Sequence, residues 1–353
     1  MKPIVIFLIL QICCVFRVTA QRVIPVIVHV VYSTSDQAIS DEQIYSQITA
    51  LNRDFRMMNE DVIEVDVAFT DLVADTEIEF QLAGIDPEGN STTGITRTAT
   101  THGVFGNSDI YYSAEGGKDS WGDNEYLNIW VCDLAPGILG WSSSPDKIDE
   151  TDGIVLDYIS FGETNDNSNY NLGRTAVHEV GHWLGLFHPE GLGDCASDDG
   201  ISDTPNQEFS YTSCNLNRSD CGSYDMTQNY MQSGNDDCLL FFTLGQSEKM
   251  NEVLLDERSL LIENADNVLS ITRFELVENR SVVYPNPIVG GVLNLHLPEN
   301  ETVQVSLQSL DGLVLKEQSV SGNEILHIAG LSQGIYVLVV TSDGGNWVER
   351  VRL

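Results

Sequence analysis

The sequence predicts an α+β domain followed by a small all-β sandwich. Strand-like and helix-like segments alternate up to about residue 184, and regular signals then fade into a loop-rich segment. From Val282 the chain changes character, and short alternating segments recur between turn signals. With 353 residues, of which 42% are hydrophobic, the chain is long and apolar enough for one large domain and one smaller domain.

The charge balance is strongly acidic, with 53 acidic residues against 17 basic ones and a formal net charge of −36. Such a surface repels phosphate backbones and anionic lipid, so nucleic-acid binding and direct membrane binding are disfavoured. A solvated, soluble surface explains the acidic excess. Calcium binding by some of the carboxylates is the alternative explanation.

The first 20 residues have the organisation of a secretory signal peptide. Lys2 precedes an apolar run at 4–16, and small residues precede a cleavage site after Ala20. The run is short for a membrane span, so no integral membrane segment is expected after cleavage. A lipid anchor at Cys13 or Cys14 is the alternative. The chain is therefore predicted to be exported.

The part of the chain before residue 171 alternates strands and helices. A β-branched run at 23–32 predicts the first strand. Ser40, followed by Gln43 three residues later, predicts the start of a helix whose apolar residues recur at helical spacing. Further strands are predicted at 78–85, 126–134 and 153–158, and a second helix at 171–184.

The second predicted helix carries the string H-E-x-x-H-x-x-G-x-x-H. Residues four apart project from one helix face, so His178 and His182 can bind one metal ion. Gly185 allows the chain to turn back and bring His188 as a third ligand. Three histidines leave one tetrahedral position for water, as in a catalytic zinc site, and Glu179 is expected beside that water as general base. A structural zinc site would normally be closed by a fourth protein ligand, often cysteine, and the motif contains none.

The segment after the motif is rich in Gly, Asp, Asn and Ser. Five cysteines remain after signal cleavage, and Cys132 is expected as a buried thiol of a strand. The other four favour two disulfides in an exported protein; they are Cys195, Cys214, Cys221 and Cys238.

An acidic loop at 198–205 contains Asp199 and Asp203. Carboxylates at this density repel one another unless a cation lies among them, and calcium prefers carboxylates together with loop carbonyls. The residues alone leave open a calcium site and a merely solvated acidic loop.

A helix carrying Met250 and Leu261 on its apolar face is predicted after the loop, followed by an unusually apolar connector. Five alternating segments between turn signals then predict a β-sandwich. The predicted organisation is a signal peptide at 1–20, a catalytic domain at 21–265, a linker at 266–281 and a C-terminal domain at 282–353.

The extended motif and its flanking strings resemble the metzincin zinc proteases and, among them, the cytophagalysin and ulilysin branch of the pappalysin family. The resemblance covers roughly residues 23–260. It implies a twisted mixed sheet with helices, an irregular C-terminal subdomain, and a secreted zinc endopeptidase that acts on proteins or peptides. It assigns zinc binding to His178, His182 and His188, and the general base to Glu179. The flanking strings lie at 24–31, 126–130, 171–175, 183–186, 203–205 and 229–231.

The resemblance also implies roles for residues outside the motif. Met231 matches the Met-turn methionine, which packs beneath the zinc site without binding the metal. Asp236 matches an acidic residue that in this branch favours Arg or Lys at P1′. The acidic loop matches the neighbourhood of calcium sites, which favours calcium at Asp199 and Asp203. The implied disulfides are Cys195–Cys221 and Cys214–Cys238.

The chain departs from the family pattern at three points. Relatives often carry a tyrosine at the place of Ser233, where it helps to stabilise the tetrahedral intermediate, and loss of such a donor could cost about 10²-fold in rate. Relatives commonly have a cysteine at the place of Gln81, whose absence leaves Cys132 unpaired. A pro-segment is not visible between the signal peptide and the first predicted strand.

The C-terminal segment resembles the sorting domain of the type IX secretion system of Bacteroidetes-like bacteria. The matching strings lie at 284–287, 310–312 and 331–336. The resemblance implies export across the outer membrane by the secretion machinery and an extracellular or cell-surface location. A generic carbohydrate-binding or adhesive β-sandwich is the alternative.

The sequence therefore predicts a secreted zinc endopeptidase whose substrate lies beneath the edge strand of the sheet. One alternative is a surface adhesin or binding module that keeps the fold but cleaves weakly or not at all, and Ser233 leaves room for it. The other alternative is a hydrolase of a non-peptide substrate. Cleavage of proteins distinguishes the peptidase from both.

Overall fold

A computed structural model describes residues 22–269, apart from 107, 123, 165–167 and 214–216, and strand segments between 282 and 352. The predicted signal peptide, Cys214 and positions 270–281 of the predicted connector lie outside the described residues. The chain divides into two compact units, Met1–Ile271 and Thr272–Leu353.

The first unit is built on a mixed sheet of six strands, which confirms the predicted sheet. Five strands are parallel, and the last strand along the sheet runs antiparallel to its neighbour. The strands are β1 (Arg22–Tyr32), β2 (Ile78–Leu82), β3 (Ile95–Ala99), β4 (Leu127–Cys132), β5 (Gly140–Ser142) and β6 (Ile154–Asp157). The order is β2-β1-β4-β6-β5, and β3 also pairs with β1.

The composition of the central strands explains their position. Nearly every residue of β1 and every residue of β4 and β6 is buried, as expected for apolar parallel strands covered on both faces. The long strand β1 pairs with β2 through residues 22–26 and with β3 through residues 28–32. The short strand β5 forms an antiparallel edge next to the metal-bearing helix.

Helices cover the sheet and enclose the core. Helix α1 (Asp41–Phe55) begins at Ser40, whose hydroxyl accepts the N–H of Gln43 at 3.2 Å, as predicted. The other helices are α2 (Arg174–Trp183), α3 (Leu244–Leu255), α4 (Ser259–Glu263) and α5 (Ala265–Val268). Short 3₁₀ turns lie at Glu60–Glu64, Thr70–Leu72, Ser108–Tyr111, Ser113–Glu115 and Asp236–Cys238.

The metal-bearing helix α2 is shorter than predicted. It begins at Arg174 rather than at residue 171, because Gly173 has a left-handed backbone with φ of 74°. The carboxylate of Asp236 accepts the backbone N–H groups of Leu172 and Arg174 at this end. The side chain of a residue far along the chain therefore holds the start of α2.

Helix α5 begins at the last residue of the predicted catalytic domain and continues into the predicted linker. Its last residue, Val268, is 6% exposed and its carbonyl accepts the N–H groups of Gly84 and Ile85. The predicted boundary at residue 265 stays a prediction. Across the described part of the chain, no helix combines the length and apolar character that crossing a bilayer requires.

The region after α2 is irregular, and a disulfide crosses it. Cys195 is bonded to Cys221, as the resemblance implied. Cys238 is also disulfide-bonded, and Cys214, its expected partner, lies outside the described residues. Cys132 of β4 is buried and free, as expected.

The second unit consists of antiparallel strands, as predicted. A four-stranded sheet has the order β10-β9-β12-β13, and a three-stranded sheet has the order β11-β8-β7. The strands are β7 (Val282–Val289), β8 (Val292–His296), β9 (Thr302–Gln308), β10 (Val314–Ser321), β11 (Glu324–His327), β12 (Ile335–Ser342) and β13 (Gly345–Arg352).

A buried ion pair holds the C-terminal end of α2. The Arg258 guanidinium donates two hydrogen bonds to Asp152, at 2.7 and 2.8 Å, and lies 3.9 Å from the centre of the Trp183 ring. The Trp183 indole donates to the same carboxylate at 2.9 Å. We call Asp152, Trp183 and Arg258 the clamp. It joins the last residue of α2 to the turn between α3 and α4.

Replacing Arg258 with alanine should lower the free energy of unfolding by about 3–5 kcal/mol, because Asp152 would remain buried without its counter-charge. Urea unfolding followed by tryptophan fluorescence measures the change. Arg56→Ala is the control, since Arg56 is 24% exposed and pairs with the surface acids Asp75 and Glu79. The control should change by less than about 1 kcal/mol. Equal losses for the two variants would contradict the role of the clamp.

Candidate metal centre and active site

The helix α2 and the turn after it bring the three predicted histidines together. His178 and His182 lie one turn apart on the same face of α2. Gly185 follows with φ of 89°, and a side chain there would also approach Val253 to 3.0 Å. Only glycine fits this turn without strain. The chain then folds back and places His188 beside the other two histidines.

The three imidazoles converge on a single point. Their Nε2 atoms lie 2.9, 3.0 and 3.1 Å from one another. The Nδ1 atoms of His178 and His182 donate to the carbonyls of Tyr230 and Leu186 at 2.7 and 2.8 Å. These bonds place the proton on Nδ1, so the Nε2 lone pairs face one another.

Facing lone pairs repel unless a cation lies among them. A tetrahedral ion bound to nitrogen at about 2.0–2.1 Å requires nitrogens about 3.3–3.4 Å apart, a few tenths of an ångström more than the observed separations. Burial lowers the pKa of both helical histidines, that of His182 to about 4, which keeps the ligands neutral as metal binding requires. Among the described residues, no other three His, Cys, Asp or Glu side chains lie close enough together to bind one metal ion. The donor set fits zinc.

Glu190 contacts the third histidine and was missed by the sequence reasoning. Its Oε1 lies 3.3 Å from Nδ1 of His188. A carboxylate at this place orients the imidazole and favours a free Nε2 lone pair. The only signal in the sequence is its position two residues after the third histidine.

Glu179 lies at the wall of a pocket of about 300 Å³ beside the histidines. It is 8% exposed, and burial raises the pKa of its carboxyl to about 8. The positive charge of a bound metal ion opposes this shift. Gly140 of the edge strand β5 lies against it, since a side chain there would come within 3.2 Å of Cγ of Glu179. Glu179 therefore offers the pocket a carboxyl group that can accept a proton.

The pocket runs along the N-terminal half of α2. It is lined by residues 137–140, where β5 begins, and by the start of α2 with His178 and Glu179. The remaining lining residues are Tyr170, Gln232, Ser233, Gly234, Asp236 and Leu239. Ser233 also lies there, exposed, with its hydroxyl 2.8 Å from that of Ser210. Ser233 thus lies at the pocket, where its hydroxyl is hydrogen-bonded to that of Ser210.

Met231 is fully buried beneath α2. Its sulfur fills the place next to Gly181, where an added side-chain carbon would lie only 2.5 Å from Sδ. The Met231 N–H donates to Asn229, which exchanges two amide hydrogen bonds with Gln246 of α3. The position fits the Met-turn methionine. It also explains Gly181, which the motif leaves unspecified.

Asp236 lines the pocket and is 1% exposed. Its Oδ2 accepts the N–H groups of Leu172 at 2.7 Å and Arg174 at 3.3 Å. Its Oδ1 is buried and has no hydrogen-bond partner among the described residues. Burial raises the pKa of this carboxyl to about 6. Asp236 therefore holds the start of α2 and lines the pocket, and one of its two carboxylate oxygens has no hydrogen bond.

The two aspartates of the acidic loop face different partners. Asp203 accepts the hydroxyl of Thr243 at 2.7 Å and the N–H of Gly245 at 2.8 Å, at the start of α3. Asp199 is 6% exposed; its Oδ1 accepts the hydroxyl of Thr204, and its Oδ2 is buried without a partner in the described chain. The carboxylates of Asp199 and Asp203 thus have no hydrogen-bond partner in common.

Two family models match the chain. Residues 111–255 match the family described as pregnancy-associated plasma protein-A. Residues 282–352 match the secretion system C-terminal sorting domain. The first match contains the three histidines, Glu179 and Asp236. The second covers almost all of the antiparallel second unit.

Similar proteins include secreted fungal enzymes and a bacterial protease of known structure. An extracellular metalloprotease of Verticillium alfalfae is 30% identical over 234 residues, covering 63% of this chain and 72% of the relative. One of Pyricularia oryzae is 31% identical over 243 residues, covering 66% and 75%. Mature mirolysin of Tannerella forsythia, solved in complex with a cleaved peptide, is 41% identical with a TM-score of 0.69, covering 71% and 99%.

These likenesses agree with the geometry of the site. The matched relatives are metalloproteases, and the likeness to mirolysin spans nearly all of that chain. The chain therefore belongs to the pappalysin family, that of pregnancy-associated plasma protein-A, and is a secreted zinc metalloendopeptidase that ends in a secretion sorting domain.

Proposed function

We propose that His178, His182 and His188 bind the catalytic zinc ion and that Glu179 is the general base of peptide-bond hydrolysis. The convergence of three Nε2 atoms within 3.1 Å carries this proposal. A bound zinc ion supplies a Lewis acid that polarises the substrate carbonyl and activates water. Glu179 takes a proton from the attacking water and delivers it to the leaving nitrogen.

The edge strand β5 is the proposed binding site for the substrate backbone. It pairs with β6 on one side, and the segment leading into it forms a wall of the pocket. An extended peptide can add to such an edge through main-chain hydrogen bonds. A peptide bound in this way would have its scissile bond next to Glu179 and the three histidines.

The free oxygen of Asp236 supports a preference for Arg or Lys at P1′. A buried carboxylate oxygen without a partner is costly, and a substrate guanidinium or ammonium entering the pocket would satisfy it. The pocket lies on the side of Glu179 towards the start of α2. The substrates are thus proposed to be extracellular proteins with accessible basic residues.

Calcium binding is proposed at the acidic loop that contains Asp199 and Asp203. The unpartnered Oδ2 of Asp199 supports it, since a calcium ion would offset the cost of its burial. Because Asp203 is hydrogen-bonded to the start of α3, an ion at this loop would also stabilise that helix.

Export is proposed to use the signal peptide at 1–20 and then the type IX secretion machinery, which would recognise residues 282–353.

Replacing Glu179 with glutamine should lower kcat/KM by about 10²–10⁴-fold, because glutamine cannot accept the proton. Cleavage of a random peptide library, read by mass spectrometry, measures the effect. Zinc content and Tm should match those of the wild type, which separates lost chemistry from lost folding. Absence of cleavage by folded, zinc-loaded wild type would instead favour the binding-module alternative.

Replacing Asp236 with asparagine should lower the ratio of kcat/KM for Arg over Leu at P1′ by about 10–100-fold, the value of a hydrogen bond between charged groups. Matched peptides that differ only at P1′ measure the ratio. Asp237→Asn is the control, because Asp237 is the exposed neighbour. A wild type that cuts both peptides equally well would refute the proposed preference.

The preference should also depend on pH. Burial raises the pKa of Asp236 to about 6, so its carboxyl is charged above that pH and neutral below it. The Arg-over-Leu ratio should therefore fall as the pH drops through about 6. Arg174 and Asp54 are the charged groups that act on it, in opposite directions. The Asp236→Asn variant should show a flat ratio across the same range.

Calcium at millimolar concentration should raise the Tm of the wild type by about 5 °C, because an ion that binds only the folded state stabilises it. Asp199→Asn should remove the increase. Asp198→Asn is the control, as Asp198 is exposed and lies next to it. Scanning calorimetry with calcium or with a calcium chelator measures both. Equal Tm values with and without calcium would rule out the site.

A further inference from the structure

A buried arginine shares the pocket wall with Asp236. Arg174 lines the same pocket and is 1% exposed. An arginine so close to a carboxylate would ordinarily pair with it. Such a pair would neutralise Asp236, and the arginine would repel a basic substrate side chain. The preference proposed above therefore requires that Arg174 be occupied elsewhere.

The guanidinium of Arg174 is bound by two other aspartates. Nη1 and Nη2 donate to the two oxygens of Asp61 at 2.7 and 2.8 Å. Nε donates to Asp54 at 3.2 Å, and Nη1 also donates to the backbone carbonyl of Asp236 at 2.8 Å. None of these bonds reaches the Asp236 carboxylate. The geometry is the bidentate fork that arginine and carboxylate prefer.

The charged side chains around Arg174 carry a net negative charge. Arg53 pairs with Asp54 and, at its outer end, with Glu163. Two arginines thus face the three aspartates 54, 61 and 236 and a glutamate. The positive charge of Arg174 is offset by Asp61, and Arg174 also donates a hydrogen bond to Asp54. The surplus negative charge includes the free oxygen of Asp236.

We propose that Asp61 and Asp54 determine substrate specificity by holding the Arg174 guanidinium away from the Asp236 carboxylate and offsetting its charge. Both aspartates come from elements far from the zinc motif, the end of α1 and the turn Glu60–Glu64. They are positioning residues, because they act on the substrate through Arg174 and Asp236. This inference rests on the proposed preference for Arg or Lys at P1′.

The test replaces Asp61, because it is 30% exposed and its loss leaves less buried charge unpaired than loss of Asp54. Asp61→Asn should lower the Arg-over-Leu ratio at P1′ by about tenfold, since the freed guanidinium repels a basic side chain and can reach Asp236. Asp61→Glu retains the charge and should retain at least half of the wild-type ratio. Full-length, zinc-loaded enzyme is used throughout, with Tm recorded for each variant.

Asp75→Asn is the matched control, since Asp75 also pairs with an arginine, but that arginine, Arg56, does not line the pocket as Arg174 does. Its ratio should equal that of the wild type. An unchanged ratio in Asp61→Asn, beside a lowered ratio in Asp236→Asn, would overturn this inference and leave the P1′ proposal intact. Equal losses on both peptides in Asp61→Asn would also overturn it, because a purely structural effect does not distinguish Arg from Leu. A wild type without preference would refute the P1′ proposal itself.

Discussion

The active site depends on where helix α2 is held, because three histidine lone pairs must meet within about 3 Å for a tetrahedral metal site to form. A buried arginine secures each end of this helix. Arg174, its first residue, binds Asp54 and Asp61. At the other end, Arg258 binds Asp152 and lies over the ring of Trp183, the last residue. Breaking either pair would leave an uncompensated buried charge, so the helix has little freedom to shift.

Close packing beneath α2 sets the depth of the site. The absence of a side chain at Gly181 lets Met231 approach the helix between His178 and His182. The backbone carbonyl of Tyr230, the residue before it, accepts the Nδ1 proton of His178. The same turn therefore supports the helix and orients an imidazole. Because its members are apolar or backbone groups, it adds no charge near the metal site.

The two pocket carboxylates perform different tasks because their surroundings differ. Glu179 is buried beside the histidines, where a carboxylate can take a proton from water and return it. Asp236 is held by two backbone N–H groups, and its other oxygen has no hydrogen-bond partner in the described chain. The acidic excess of the chain thus has a local counterpart at the site, where Glu179 and Asp236 line one pocket.

Local patterns in the sequence were enough to predict the nature of the site and the class of fold. Three histidines at fixed spacing, the glutamate after the first and Gly185 predict the convergence that the structure shows, because helical periodicity relates them locally. Alternating apolar runs likewise predicted the sheet and the second unit. The helix α2 begins at Arg174, within a few residues of the predicted start, and Asp236, some sixty residues away, accepts its first N–H. The partners of Arg174 and the clamp at Arg258 could not be predicted, because these contacts join segments that are far apart along the chain and share no periodic pattern. The contact of Glu190 with His188 is local, but it depends on how the chain folds after the helix, which no sequence pattern specifies.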